Sequence, residues 1–110
     1  MNRSTHTAIT FLLLLVVLAV TLPAIADEAA ATLFKSKCAG CHAADGTGNT
    51  PVGQKLGVKP LGGAEVQGMS DADLQKAIAT GKGKMPGFGT KLTAAELKAI
   101  VAHIRTFAKK

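Results

Sequence analysis

Cys38, Cys41 and His42 fall in the run Cys-Ala-Gly-Cys-His, two thiols and an imidazole within five residues. On a helical turn, positions i, i+3 and i+4 share one face, so the three side chains can act together on one planar partner. Thiols at this spacing can add to the two vinyl groups of haem as thioethers. The imidazole then lies beneath the ring with a nitrogen near the iron. Cys-x-x-Cys-His is the run that attaches c-type haem. Its Cys-x-x-Cys half also has other uses. One is half of a tetrahedral zinc site, but the second pair of ligands is missing: beyond His42 the histidines are His6 and His103. Another is a thioredoxin-like dithiol pair, which belongs in a strand–helix–strand setting and requires no adjacent histidine.

An iron bound by one imidazole leaves a sixth position to be filled or left open. Past the N-terminal apolar segment the methionines are Met69 and Met85. Met69 precedes Ser70, a helix N-cap, and can pack on Leu74 as a hydrophobic staple. Met85 sits in Gly81-Lys-Gly-Lys-Met-Pro-Gly-Phe-Gly89. Glycine permits close backbone approach to a ring, and Pro86 stiffens the loop. A thioether there can ligate iron, and His/Met ligation raises the reduction potential. Met85 is therefore expected as the axial partner of His42; the plain alternative is a loop methionine covering the core. His103 flanks an apolar helix stripe and reads as a packing or surface residue.

These groups need elements to position them. The chain of 110 residues is enough for one domain. Arg3, the apolar run Phe11–Val20 and the small-x-small triplet Ala24-Ile25-Ala26 read as a secretory signal peptide over residues 1–26, cleaved after Ala26. An uncleaved membrane anchor is the alternative, since Ala8–Ala26 approaches spanning length, although Thr10, Thr21 and Pro23 dilute it. The domain left, residues 27–110, is small for an unaided core. Its aromatics are Phe34, Phe88 and Phe107. A Cys38–Cys41 disulfide would close only a trivial loop, whereas a large planar apolar cofactor would supply the missing core.

Helical periodicity marks residues 28–42, with Ala30, Leu33, Phe34 and Cys38 at helical spacing. Residues 43–68 read as loop, rich in Gly and carrying Pro51 and Pro60, with a short turn around 64–67. Ser70 caps a helix through Ala79; Asp71 and Asp73 favour its positive end and Gly81 its C-terminal end. Thr93-Ala94-Ala95-Glu96 is a capping box opening a last helix with Leu97, Ile100, Val101, Ile104 and Phe107 on one stripe. No segment alternates like a strand. The fold class is all-α: three main helices joined by long loops, an arrangement that suits a domain wrapped around a cofactor.

Taken together, these residues resemble a class I c-type cytochrome over nearly all of residues 28–110. The resemblance rests on the first helix ending in Cys38–His42, on Asp45-Gly46-Thr47-Gly48, on Met85-Pro86, and on the last helix through Phe107. It implies a small monohaem cytochrome c fold whose first and last helices cross near a right angle, with Phe34 meeting Ile100 and His103. Ala30 and His103 stand where the family has a glycine and an aromatic residue, which predicts a looser crossing. The family also orients its ligating histidine with a proline carbonyl, which implies Pro60 here, with Pro51 as second choice. The four-helix-bundle haem family carries its motif near the C-terminus and matches less well.

Function follows from the donor set. Covalent haem c with both axial positions closed implies an electron carrier rather than an enzyme, exported to the periplasm. The alternatives are a haem subunit of a larger oxidoreductase, and a haem enzyme or gas sensor with a labile sixth ligand. The chain is basic, with 13 Lys and Arg against 7 Asp and Glu. Without interleaved aromatics or an Arg-rich patch it does not read as nucleic-acid binding. An acidic redox partner fits, steered by Lys37, Lys55, Lys82 and Lys84. Membrane contact is expected only through that partner or an uncleaved leader.

Overall fold

The computed structural model describes residues 27–109; the expected signal peptide, residues 1–26, lies outside the described residues. The order is α1 (27–37), α2 (Ala39–His42), α3 (Pro51–Leu56), α4 (Ala64–Gln67), α5 (Asp71–Thr80) and α6 (Ala94–Thr106), with a closing 3-10 turn, Phe107–Lys109. Among the described residues the only β pairing is an isolated bridge between Lys82 and Met85. The fold is all-α, and α1, α5 and α6 are its three main helices.

Local chemistry sets the ends of α5 and α6. Ser70 Oγ accepts the Asp73 N–H at 3.1 Å, with Asp71 and Asp73 in the first turn of α5. At α6 both arms of the capping box close: Thr93 Oγ1 accepts from Glu96 N–H at 3.1 Å, and Glu96 Oε1 accepts from Thr93 N–H at 2.9 Å. Leu74 and Ile78 on α5 and Ile100, Val101 and Ile104 on α6 are buried. They share a core with Phe34, Leu61, Leu92 and Phe107.

The crossing of α1 and α6 is filled. Phe34 is 1% exposed and Ala30 is buried. The Phe34 ring lies 5.1 Å from His103 and 5.4 Å from Phe107, and His103 meets Phe107 edge-on at 5.0 Å. Such aromatic pairs stabilise beyond their buried area. His103 thus does the packing expected of it.

Two expectations about local structure need correcting. The first helix does not run to residue 42: it stops at 37, Cys38 turns, and α2 resumes as a separate turn. The stretch 43–68 is not all loop, because α3 forms inside it. Thr50 is its N-cap, accepting the Gly53 N–H; Pro51 sits in the first turn, where its missing N–H costs nothing; Gly57 ends it at φ 68°. The glycine and proline that signal loop are here the start and stop of a helix.

A polar clasp ties the α4–α5 connection to α6. Arg105 on α6 donates to the carbonyls of Gln67 (3.0 Å) and Met69 (2.6 Å) and to the Asp71 carboxylate (2.8 Å). Gln67 Nε2 donates to Leu61 O (2.8 Å) and Ile104 O (3.1 Å). The α4–α5 connection is thereby held to the end of the last helix.

Candidate cofactor site

The turn Cys38–His42 is closed by His42 N–H donating to Cys38 O at 3.0 Å. Both thiols are free and half-buried. Cys38 packs against the core, and burial pushes its thiol up to about 11. Burial also lowers the pKa of His42. A lowered pKa favours the neutral imidazole, the form that can ligate a metal. His42 Nδ1 is buried with no hydrogen-bond partner. Leaving a buried polar group unpaired costs about 1–3 kcal/mol, so this atom marks a site still to be completed. Directly after it, Ala43 stands at φ 63° and ψ 156°, and it is the sole non-glycine residue with positive φ among those described. Backbone in such sparsely populated regions stores about 1–3 kcal/mol and gathers at functional sites.

The seat beneath this turn is α3. Thr50 Oγ1 donates to Gly40 O at 2.9 Å, and Gly48 N–H donates to His42 O at 2.8 Å. Gly53 faces the turn so closely that a Cβ there would collide with the carbonyl oxygens of Cys41 and Gly48. Thr50 and Gly53 are therefore positioning residues that the sequence reading passed over. The available signal was Thr50-Pro51, an N-cap followed by a first-turn proline.

Met85 is set in place by a different device. Lys82 N–H donates to Met85 O (3.1 Å) and Met85 N–H to Lys82 O (3.0 Å), making a tight hairpin. Phe88 and Gly89 N–H then donate to Ile78 O and Ala79 O, both at 2.9 Å, pinning the hairpin on the end of α5. Met85 is half-buried against the same core that Cys38 touches. Met69 reaches that core too. Pro60 is not brought into the site as expected. It is exposed, its carbonyl accepts the Gly63 N–H at 3.2 Å, and His42 Nδ1 donates no bond to it. The loop 60–63 folds on itself as a turn closed on that carbonyl.

Two free thiols and a half-buried imidazole in one turn, with a thioether held on the same core, form a donor set that fits a covalent haem. Among the described residues no group of three His, Cys, Asp or Glu is placed to hold a metal ion by itself. The profile of a family described as cytochrome C oxidase, cbb3-type, subunit III matches residues 26–104. The chain belongs to this family. It is a class I c-type cytochrome. It is 34% identical over 103 residues to a cytochrome c6 of Synechococcus, covering 83% of this chain and 88% of the relative. It is also 34% identical over 83 residues to the cbb3-type cytochrome c oxidase subunit FixP of Azorhizobium caulinodans, covering 74% of this chain and 27% of the relative. The chain thus spans about a quarter of the length of that oxidase subunit. A solved structure, the KustC0563 c-type cytochrome, superposes with a TM-score of 0.64 at 35% identity, covering 70% of this chain and 94% of that one. Membership of this family implies covalently bound haem c, one for a chain of this size.

Proposed function

We propose that Cys38 and Cys41 bind the haem as thioethers, that His42 and Met85 are its two axial ligands, and that the cytochrome works as a periplasmic one-electron carrier without catalysis of its own. The observation that carries this reading is His42: a half-buried imidazole whose pKa burial lowers, with an orphaned ring nitrogen, in one turn with two free thiols. Bound haem supplies a one-electron couple between ferric and ferrous iron. The chain's own residues do the rest. Cys38, packed on the core, would hold the haem there, and α3 fixes the turn that carries His42. The 81–89 hairpin presents Met85, whose thioether raises the potential and closes the position a substrate or gas would need.

Removal of residues 1–26 on export would leave the domain 27–110 free in the periplasm. Lys37, Lys55, Lys82 and Lys84 are exposed and steer the cytochrome to an acidic redox partner. Service as the haem domain of a larger oxidase is a second reading, favoured by the family profile and by the FixP match. A free carrier is preferred because the cytochrome c6 relative matches more of this chain, 83% against 74% for the oxidase subunit.

The test is the exported protein made with the haem-attachment machinery. Its intact mass is expected to equal residues 27–110 plus one haem that acid extraction does not remove, with a low-spin visible spectrum indifferent to carbon monoxide. Extractable haem, or attachment that survives loss of both cysteines, overturns the reading.

A further inference from the structure

Gln67 bonds to more of the molecule than the end of a four-residue helix requires. It closes α4 and is half-buried. Its Nε2 donates to Leu61 O at 2.8 Å and to Ile104 O at 3.1 Å. A primary amide has two protons to give, so both go to backbone carbonyls. One carbonyl lies in the loop 60–63 and the other in α6. From α6, Arg105 Nη1 donates to Gln67 O at 3.0 Å and reaches its Oε1 at 3.5 Å. The residue thus ties a loop to the last helix through its side chain and its backbone together.

The bond to Leu61 leads on to the haem turn. Leu61 is buried, and its N–H donates to Gly46 O at 2.7 Å. Gly46 belongs to the loop that leaves His42: its N–H donates to Ala43 O at 3.1 Å, and Gly48 N–H donates to His42 O at 2.8 Å. Gly46 also meets Phe107, since a Cβ there would stand 2.6 Å from that ring. The loop is therefore gripped at Gly46 from outside, by a ring and by the Leu61 N–H. Ala43, next to His42, needs such a grip. Its φ of 63° with ψ of 156° is a conformation that persists only where its surroundings over-determine it. His42 Nδ1 has no hydrogen-bond partner, so no bond from that nitrogen sets the ring's direction. The backbone on either side of His42 has to set it.

We propose that Gln67 is a positioning residue for His42. By holding Leu61 it fixes the loop 43–48, and that loop fixes the direction of the imidazole. Groups that orient a metal-ligating histidine also tune the metal it binds, so Gln67 takes part in setting the reduction potential from outside the Cys38–His42 run. The proposal rests on the reading of His42 as the iron ligand.

The test uses the haem-loaded protein with two substitutions. Gln67→Leu removes the amide. Gln67→Glu, at neutral pH, keeps an oxygen for Arg105 but has no proton to give Leu61 O. In both, amide exchange at Leu61 and Gly48 is expected to quicken about twofold to tenfold, the scale for losing one net hydrogen bond. The haem methyl resonances of the ferric protein report the direction of the axial imidazole plane, and both variants are expected to displace them in the same sense. The ferrous fraction at equilibrium with a redox dye is expected to fall in both, as a looser loop admits water and favours the ferric charge. Glu65→Gln, on the same short helix, breaks only the exposed pair with Lys59 and is expected to leave all three readings at parent values. Haem methyl signals unmoved in both Gln67 variants, with the low-spin spectrum intact, overturn the proposal and leave the haem reading standing. An equal displacement in Glu65→Gln overturns it too, since any disturbance of α4 would then suffice. Should Gln67→Leu fail to fold, Gln67→Glu decides alone. Absence of covalent haem removes the reading of His42 itself.

Discussion

Gly53 and Gly40 are both helical glycines on either side of one contact, and the geometry assigns them opposite responses to alanine. A Cβ on Gly53 would lie inside 3.0 Å of Cys41 O and Gly48 O. Both are backbone atoms, so neither can rotate away, and α3 must lift from α2. Overpacking of this kind costs about 1–3 kcal/mol. Lifting α3 also stretches the Thr50–Gly40 hydrogen bond, which contributes about 0.5–1.5 kcal/mol. Against this, alanine recovers about 0.5–1 kcal/mol of chain entropy relative to glycine. The net loss is about 1–3 kcal/mol, and for a domain of this size Tm falls by roughly 4–8 °C per kcal/mol. Gly40 has negative φ and open space around its missing Cβ, so Gly40→Ala takes the entropic gain of about 0.5–1 kcal/mol with no steric charge against it. Thermal unfolding of the haem-loaded proteins, followed by far-UV circular dichroism, reads both. Gly53→Ala is expected to melt well below the parent and Gly40→Ala at or above it. A Gly53→Ala protein as stable as Gly40→Ala would refute the close seating of α3 on the haem turn.

Met85→Ala is expected to convert a low-spin spectrum into a high-spin one that binds carbon monoxide; a spectrum unchanged by the substitution would transfer the ligand role to Met69. Arg105 holds two backbone carbonyls and Asp71 from a half-buried position, so Arg105→Ala is expected to cost about 2 kcal/mol in denaturant unfolding. The exposed Lys59–Glu65 pair is expected to show no measurable change in midpoint when broken. Electron exchange with an acidic partner is expected to slow as ionic strength rises, since the steering lysines are exposed and screened; a rate flat from low to physiological salt contradicts the steering.

Much of the fold was legible where interactions are local. Ser70 and Thr93 cap the helices expected of them because a cap reaches only three residues ahead, and the buried stripe of α6 repeats at helical spacing. Reading failed at α3, where Pro51 and Gly57 look the same in sequence whether they bound a helix or break one. It failed again at Pro60. Its carbonyl can turn to Gly63 or to His42, and only the path of the loop 60–63 chooses between them.

By itself the sequence determined the chemistry: two thiols, an imidazole and a thioether of the right types, with the first three at a spacing that one helical turn brings to one face. That much depends on residues no more than four apart. The tertiary structure decided how the donors are held. The seat of α3 under the turn, the pinning of the Met85 hairpin on α5, the ring of His103 between Phe34 and Phe107, and the orphaned nitrogen of His42 all depend on segments distant in the chain. The Arg105 clasp spans 34 to 38 residues. Contacts of that range arise from packing, where apolar burial brings together segments whose own residue patterns do not name their partners.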